Sequence, residues 1–212
     1  MKITILSQDK SWINRYISEW VTQLSVNYEV EHCHTQDKCQ GGDILFILSF
    51  WQKVEQKIID KYNISLVVHG SNLPKGRGWS PVSWQILEGI NKIPIVLFKA
   101  TSKIDAGKIY LRDEIELEGH ELIDEIRYKQ VQKTIQLCER FITLYPNILA
   151  EGFDQVGEPT YYRRRVPYDS KLDISKSIES QFNLLRIVDN ENYPAFFEYR
   201  GKRYVIKVYK EK

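Results

Sequence analysis

Apolar and polar positions follow two alternating periods along most of the chain. Lys2 to Ser7 is a short apolar run, and Ile13, Ile17, Trp20 and Leu24 then recur at helical spacing, which predicts a strand followed by an amphipathic helix. A second strand falls near Tyr28 to Cys33. Asp43-Ile44-Leu45-Phe46-Ile47-Leu48-Ser49 is apolar without alternation, the pattern of a central parallel strand covered on both faces. Gln52 to Asp60 reads as a helix, Ile64 to Val68 as a strand, Pro81 to Glu88 as a helix, and Ile93 to Phe98 and Lys108 to Glu116 as strands. From Gly119 to about Tyr145, Leu122, Ile126, Ile135, Cys138, Phe141 and Ile142 mark one long helix, which Pro146 closes. The alternation predicts a doubly wound, Rossmann-like α/β fold: a mostly parallel sheet with helices on both faces.

After Glu151-Gly152 the pattern changes to turns, charges and aromatics, so residues 1–150 are expected to form the main α/β domain and residues 151–212 a small carboxyl-terminal unit. Ala195 to Val208 alternates apolar and polar residues around Gly201, the signature of a hairpin. Its aromatic side chains offer a homodimer contact.

Composition narrows the function. A chain of 212 residues with 42% hydrophobic content can bury one substantial core. Thirty basic against 28 acidic residues leave a net charge of +2, so the broad cationic surface that nucleic-acid backbones need is missing and no nucleic-acid partner is expected. The amino terminus turns polar too soon for a signal peptide, and no apolar run has membrane-spanning length, so a cytoplasmic protein without a membrane partner is expected. Cys33, Cys39 and Cys138 are odd in number and irregular in spacing, which points to reduced thiols. His32-Cys33-His34 with Cys39 does not make a zinc site, because consecutive strand residues point to opposite faces; no metal is expected.

The chemistry lies in two glycine-bearing loops. Val67-Val68-His69-Gly70-Ser71-Asn72-Leu73-Pro74-Lys75-Gly76-Arg77-Gly78-Trp79-Ser80-Pro81 reads as a strand ending in a long loop, with Ser80 as N-cap and Pro81 as the first helical residue. His69 is thereby placed at the carboxyl end of a strand, where open α/β sheets bind ligands. Lys103-Ile104-Asp105-Ala106-Gly107 adds a carboxylate after the next strand. A dinucleotide cofactor is not expected, since Ser7-Gln8-Asp9-Lys10-Ser11 follows the first strand in place of a Gly-x-Gly-x-x-Gly turn.

His69-Gly70-Ser71-Asn72-Leu73-Pro74 with Arg77-Gly78 and Pro81, followed by Asp105-Ala106-Gly107, resembles the folate-dependent formyltransferase family, which includes methionyl-tRNA, glycinamide-ribonucleotide and amino-sugar formyltransferases. The family pattern is Asn-x-His-x-Ser-x-Leu-Pro and then Asp-x-Gly. Val67 stands where the family places a catalytic asparagine. Pro159-Thr160-Tyr161-Tyr162 with the following arginines, and Pro194-Ala195-Phe196, resemble the carboxyl-terminal part of the amino-sugar enzymes.

The resemblance implies a one-carbon transfer from N10-formyltetrahydrofolate to the amine of a nucleotide-linked amino sugar used in surface-glycan synthesis. His69 and Asp105 take the family's catalytic roles. Histidine titrates near 6.5, so His69 can accept the amine's proton or, once charged, donate to an oxyanion, with Asp105 orienting it. Asn72, with Ser71 beside it, is the expected substitute for the missing amide donor, whose loss typically costs about a hundred- to thousand-fold in rate. By position, Phe50, Trp51, Phe98, Lys99, Ala100 and Ile104 are expected around the folate. Lys75 and Arg77 would meet phosphates of the acceptor, near Ser71 and Gly78, and Trp79 would stack on a base or sugar. Methionyl-tRNA formylation and formyl-folate hydrolysis are alternatives within the family; tRNA formylation predicts a larger, more basic carboxyl-terminal domain. A non-catalytic ligand-binding relative also fits Val67.

Overall fold

The computed structural model describes residues 1–211 and is built on a six-stranded sheet. β1 (Lys2–Leu6) leads into α1 (Asn14–Leu24), β2 (Glu29–Cys33), β3 (Gly42–Ile47), a single turn α2 (Gln56–Ile59) and β4 (Tyr62–His69). The two-residue β5 (Arg77–Gly78) precedes α3 (Pro81–Leu87), β6 (Lys92–Lys99), β7 (Ile109–Glu116) and the long α4 (Ile123–Leu144). Then come β8 (Tyr161–Tyr162), α5 (Phe182–Ile187) and the hairpin of β9 (Ala195–Tyr199) and β10 (Lys202–Ile206).

Strand order is β2-β1-β3-β4-β6-β7. β1 to β4 run parallel, β6 opposes β4, and β7 opposes β6 and so returns to the common direction. The antiparallel step between β6 and β7 has a simple cause: the connection from Lys99 to Ile109 is too short to hold the crossover that a parallel pair requires.

Both faces of the sheet are covered. Ile3, Ile5, Ile44, Phe46, Ile64 and Leu66 pack on one side against Trp20 of α1 and Phe141 of α4. Leu6, Leu45 and Ile47 meet Ile58 and Ile59 of α2 on the other. This double cover explains the unbroken apolar run of β3, where Leu45 and Phe46 are both fully buried on opposite faces.

Two expected helices differ in extent. The segment predicted as a helix over Gln52 to Asp60 contains only the turn Gln56–Ile59. Ser49 leaves β3 with φ 53 and Glu55 is extended, so the chain between them loops past the strand end. The long helix starts at Ile123, not Gly119, because Leu122 is extended and its N–H donates to Glu125 Oε2 at 2.9 Å. Asp124 and Glu125 in that first turn complement the helix dipole.

The approach to α4 is locked from beneath. Glu121 is 1% exposed and Arg186 is 1% exposed; Arg186 Nη2 lies 3.3 Å from Glu121 Oε2, and Lys129 Nζ 2.7 Å from Oε1. The N–H groups of Glu118 and Gly119 donate to the same carboxylate. Burial alone would raise the Glu121 pKa, but Lys129 and these backbone donors outweigh it and hold the group at about 2.

His32 and His34 lie on one face with ring centroids 4.5 Å apart, while Cys33 turns into the opposite core with Cys39. Burial first and then the neighbouring His34 push His32 down to about 4, and its Nε2 lies 2.8 Å from Ser7 Oγ. All three cysteines are buried and free of disulfides.

Candidate active site

β4 carries the histidine to its last position, where the chain turns into the loop 70–76. His69 is 8% exposed, and its ring stands edge-on to Phe98 with centroids 6.5 Å apart. Nε2 lies 2.8 Å from the carbonyl oxygen of Gly76. A carbonyl only accepts, so Nε2 carries a hydrogen, and in the neutral ring Nδ1 is the basic nitrogen.

Asp105 arrives from the loop between β6 and β7. Its Oδ2 lies 3.9 Å from His69 Nε2 and accepts a hydrogen bond from the Gly78 N–H at 2.8 Å. Asp105 holds φ 47, a left-handed backbone that aspartate tolerates better than most residues. Gly107 is required by contact: a Cβ there would stand 1.8 Å from the Lys99 carbonyl oxygen.

The two loops border a cavity of about 680 Å³ at the ends of β3 and β4. His69, Asp105, Gly78, Trp79, Phe50, Trp51, Phe98, Ala100 and Ile104 all line it, together with Val67. Ser49, Ser80 and Asp105, three of the four non-glycine residues with positive φ among the described residues, are also in its wall. Strained backbone of this kind persists where surrounding structure over-determines it, commonly at functional sites. Ser80 precedes α3 as expected, but in this left-handed conformation its side chain makes no cap.

Other expected residues fall outside the wall. Asn72 is exposed, with Oδ1 3.5 Å from Arg112 Nη1, so it does not stand in for an amide at Val67. Ser71 is buried beneath Gly76 instead of facing the cavity. Lys75 and Lys99 are exposed away from it. The Arg77 guanidinium donates to Gln155 Oε1 at 2.6 Å and lies 3.4 Å from the Tyr161 hydroxyl, and so is occupied within the protein.

Beyond residue 150 the chain is bonded directly to these loops. The Arg77 N–H donates to the Thr160 carbonyl, the Gly76 N–H to Thr160 Oγ1 at 2.8 Å, and β5 pairs with β8. The three arginines that follow divide their work. Arg163 pairs with Asp169 at 2.6 Å, which holds that carboxylate down at about 2. Arg164 lies over the Trp79 ring at 5.0 Å and lines the cavity. Arg165 also lines it; burial lowers its pKa, and its Nε is buried without a partner among the described residues.

Sequence reasoning missed the wall contributed by α4, where Arg127, Gln130 and Thr134 face the cavity, and by Asp189 and Tyr193. No motif marks them, because tertiary packing alone brings them to the loops. Gln155 was also missed; its amide bonds to the Asp105 loop across 50 residues.

The chain matches no family model. It is 26% identical over 169 residues to the bifunctional polymyxin resistance protein ArnA of Wigglesworthia glossinidia brevipalpis, across 77% of this chain and 25% of that protein. It thus spans about a quarter of that relative's length. Methionyl-tRNA formyltransferase from Clostridium thermocellum superposes with a TM-score of 0.81 at 23% identity, covering 100% of this chain and 94% of that one. A sugar N-formyltransferase from Shewanella sp FDAARGOS_354 gives 0.68 at 13% identity, covering 100% and 98%. The chain therefore has the formyltransferase fold that the two loops led one to expect.

Proposed function

We propose that the chain is an N-formyltransferase that moves a formyl group from N10-formyltetrahydrofolate to the amine of a nucleotide-linked amino sugar. The observation that carries this reading is the meeting of His69 and Asp105, 3.9 Å apart, in the wall of one large cavity. Phe50, Trp51, Phe98, Ala100 and Ile104 give the cavity an aromatic and apolar side suited to a pterin. Arg164 and Arg165 give it guanidinium groups suited to acceptor phosphates, in the role the sequence suggested for Lys75 and Arg77.

The chemistry follows from the imidazole. As the acceptor amine attacks the formyl carbon, His69 takes the amine's proton; the resulting imidazolium donates to the oxyanion of the tetrahedral intermediate, and Asp105 balances its charge. Collapse of the intermediate breaks the carbon–nitrogen bond to the folate, and the proton returns to the leaving nitrogen. Val67 presents no amide to the oxyanion, so the imidazolium carries that task.

Methionyl-tRNA is the second acceptor to test, favoured by the higher TM-score of 0.81. Incubating the protein and formyl donor with 4-amino-sugar nucleotides, with charged initiator tRNA, or with no acceptor separates the readings. Tetrahydrofolate released only with an amino-sugar nucleotide supports the proposal. Release only with tRNA, release without acceptor, and binding without release point to the tRNA enzyme, a hydrolase and a non-catalytic relative respectively, and each overturns it.

A further inference from the structure

We propose that Gln155 is a positioning residue that fixes Asp105 against His69, with Arg77 as its anchor; this rests on the reading of that pair as the reacting groups. Gln155 Nε2 donates to the carbonyl oxygens of Asp105 and Gly107, at 2.8 and 2.9 Å, and Oε1 accepts from Arg77 Nη2 at 2.6 Å. One amide thus ties the backbone of the carboxylate's loop to the strand beside Gly76, whose carbonyl holds His69.

The loop needs such a tie. Thr101, Ser102, Lys103 and Ile104 are exposed and give it no core anchor, yet Asp105 keeps a left-handed backbone. Holding a backbone in one conformation costs entropy, and hydrogen bonds to the carbonyls of Asp105 and Gly107 offset that cost where it falls. The Gly78 N–H holds the carboxylate and Gln155 holds the chain behind it.

An amide is the side chain that suits this place, because it donates to two carbonyls and accepts from a guanidinium at once. Glutamate would keep the pairing with Arg77 but set a carboxylate against two carbonyl oxygens. Gln155→Glu therefore separates positioning from simple attachment: attachment through Arg77 survives it, positioning of Asp105 does not.

The test compares wild type, Gln155→Ala, Gln155→Glu, Asp105→Asn and the double variant Gln155→Ala/Asp105→Asn. Formyl transfer by both Gln155 variants should fall in kcat by about ten- to a hundred-fold with KM for the formyl donor within about threefold, as expected for misplacement of a reacting group. Adding Gln155→Ala to Asp105→Asn should cost nothing further, since the first acts through the second. Independently of turnover, the His69 imidazole NMR signals, assigned with His69→Ala, should move in Gln155→Ala and Gln155→Glu as they do in Asp105→Asn. Additive losses, a Gln155→Glu protein with wild-type kcat, or unmoved imidazole signals would overturn the proposal. A wild-type chain that transfers no formyl group would refute the proposed function, while the imidazole signals would still decide the positioning role.

Discussion

His69 Nε2 and Asp105 Oδ2 stand 3.9 Å apart, close enough to interact yet beyond a hydrogen bond, because the Gly76 carbonyl holds the same nitrogen at 2.8 Å. Histidine orientation is thus set by backbone and charge balance by carboxylate. His69→Ala and His69→Asn should both lower kcat by about a hundred- to ten-thousand-fold, the range of a lost general base, while the far-ultraviolet circular dichroism stays that of wild type. Asp105→Asn should lower it less, since the amide oxygen it introduces still accepts from the Gly78 N–H.

Val67 gives a prediction of opposite sign. Its side chain lines the cavity where the family resemblance places an amide donor. Val67→Asn should raise kcat by about ten- to a hundred-fold if the added amide reaches the oxyanion. Steady-state kinetics at saturating donor check this; unchanged or lower kcat in a folded variant would mean that the site works with the imidazolium alone.

Arginine roles can be told apart by which kinetic constant moves. Arg164→Ala should raise the acceptor KM by about tenfold with little change in kcat, because the residue lines the cavity over Trp79 and pairs with no carboxylate among the described residues. Arg163→Ala should leave acceptor KM unchanged, because Arg163 is paired with Asp169.

Acid stability should depend on Glu121. Its carboxylate is held at about 2 in the fold, against an ordinary 4.5, so its contribution is complete above about 4.5 and is lost as pH falls toward 2. Glu121→Gln should flatten that part of the pH–stability curve measured by urea unfolding. At neutral pH the same variant should be destabilised by about 3–5 kcal/mol, because Arg186 is left buried without its counter-charge. A wild-type slope retained in the variant would assign the acid sensitivity elsewhere.

The strands of the main sheet and the two loops that bring His69 and Asp105 to one cavity were legible because each has a local signature. The apolar run of β3 is long enough to mark itself, and His69 and Asp105 sit in loops whose glycines are fixed by contact, as Gly107 is against Lys99. Side-chain direction was not legible. Asn72 follows His69 by three residues yet points outward, and Arg77 is spent on Gln155, a residue 78 positions away. The extent of α2 was overestimated for a related reason: Val54 and Ile58 carry helical spacing, but the turn at Ser49 leaves residues 50–54 to the cavity rim.

The measurement that bears most directly on the central claim is a mass-spectrometric search for the formylated acceptor after incubation with N10-formyltetrahydrofolate and a panel of 4-amino-sugar nucleotides. The account predicts a formylated amino-sugar nucleotide with wild type and none with His69→Ala. Equal product from both proteins, or none from the wild type with any member of the panel, would contradict it.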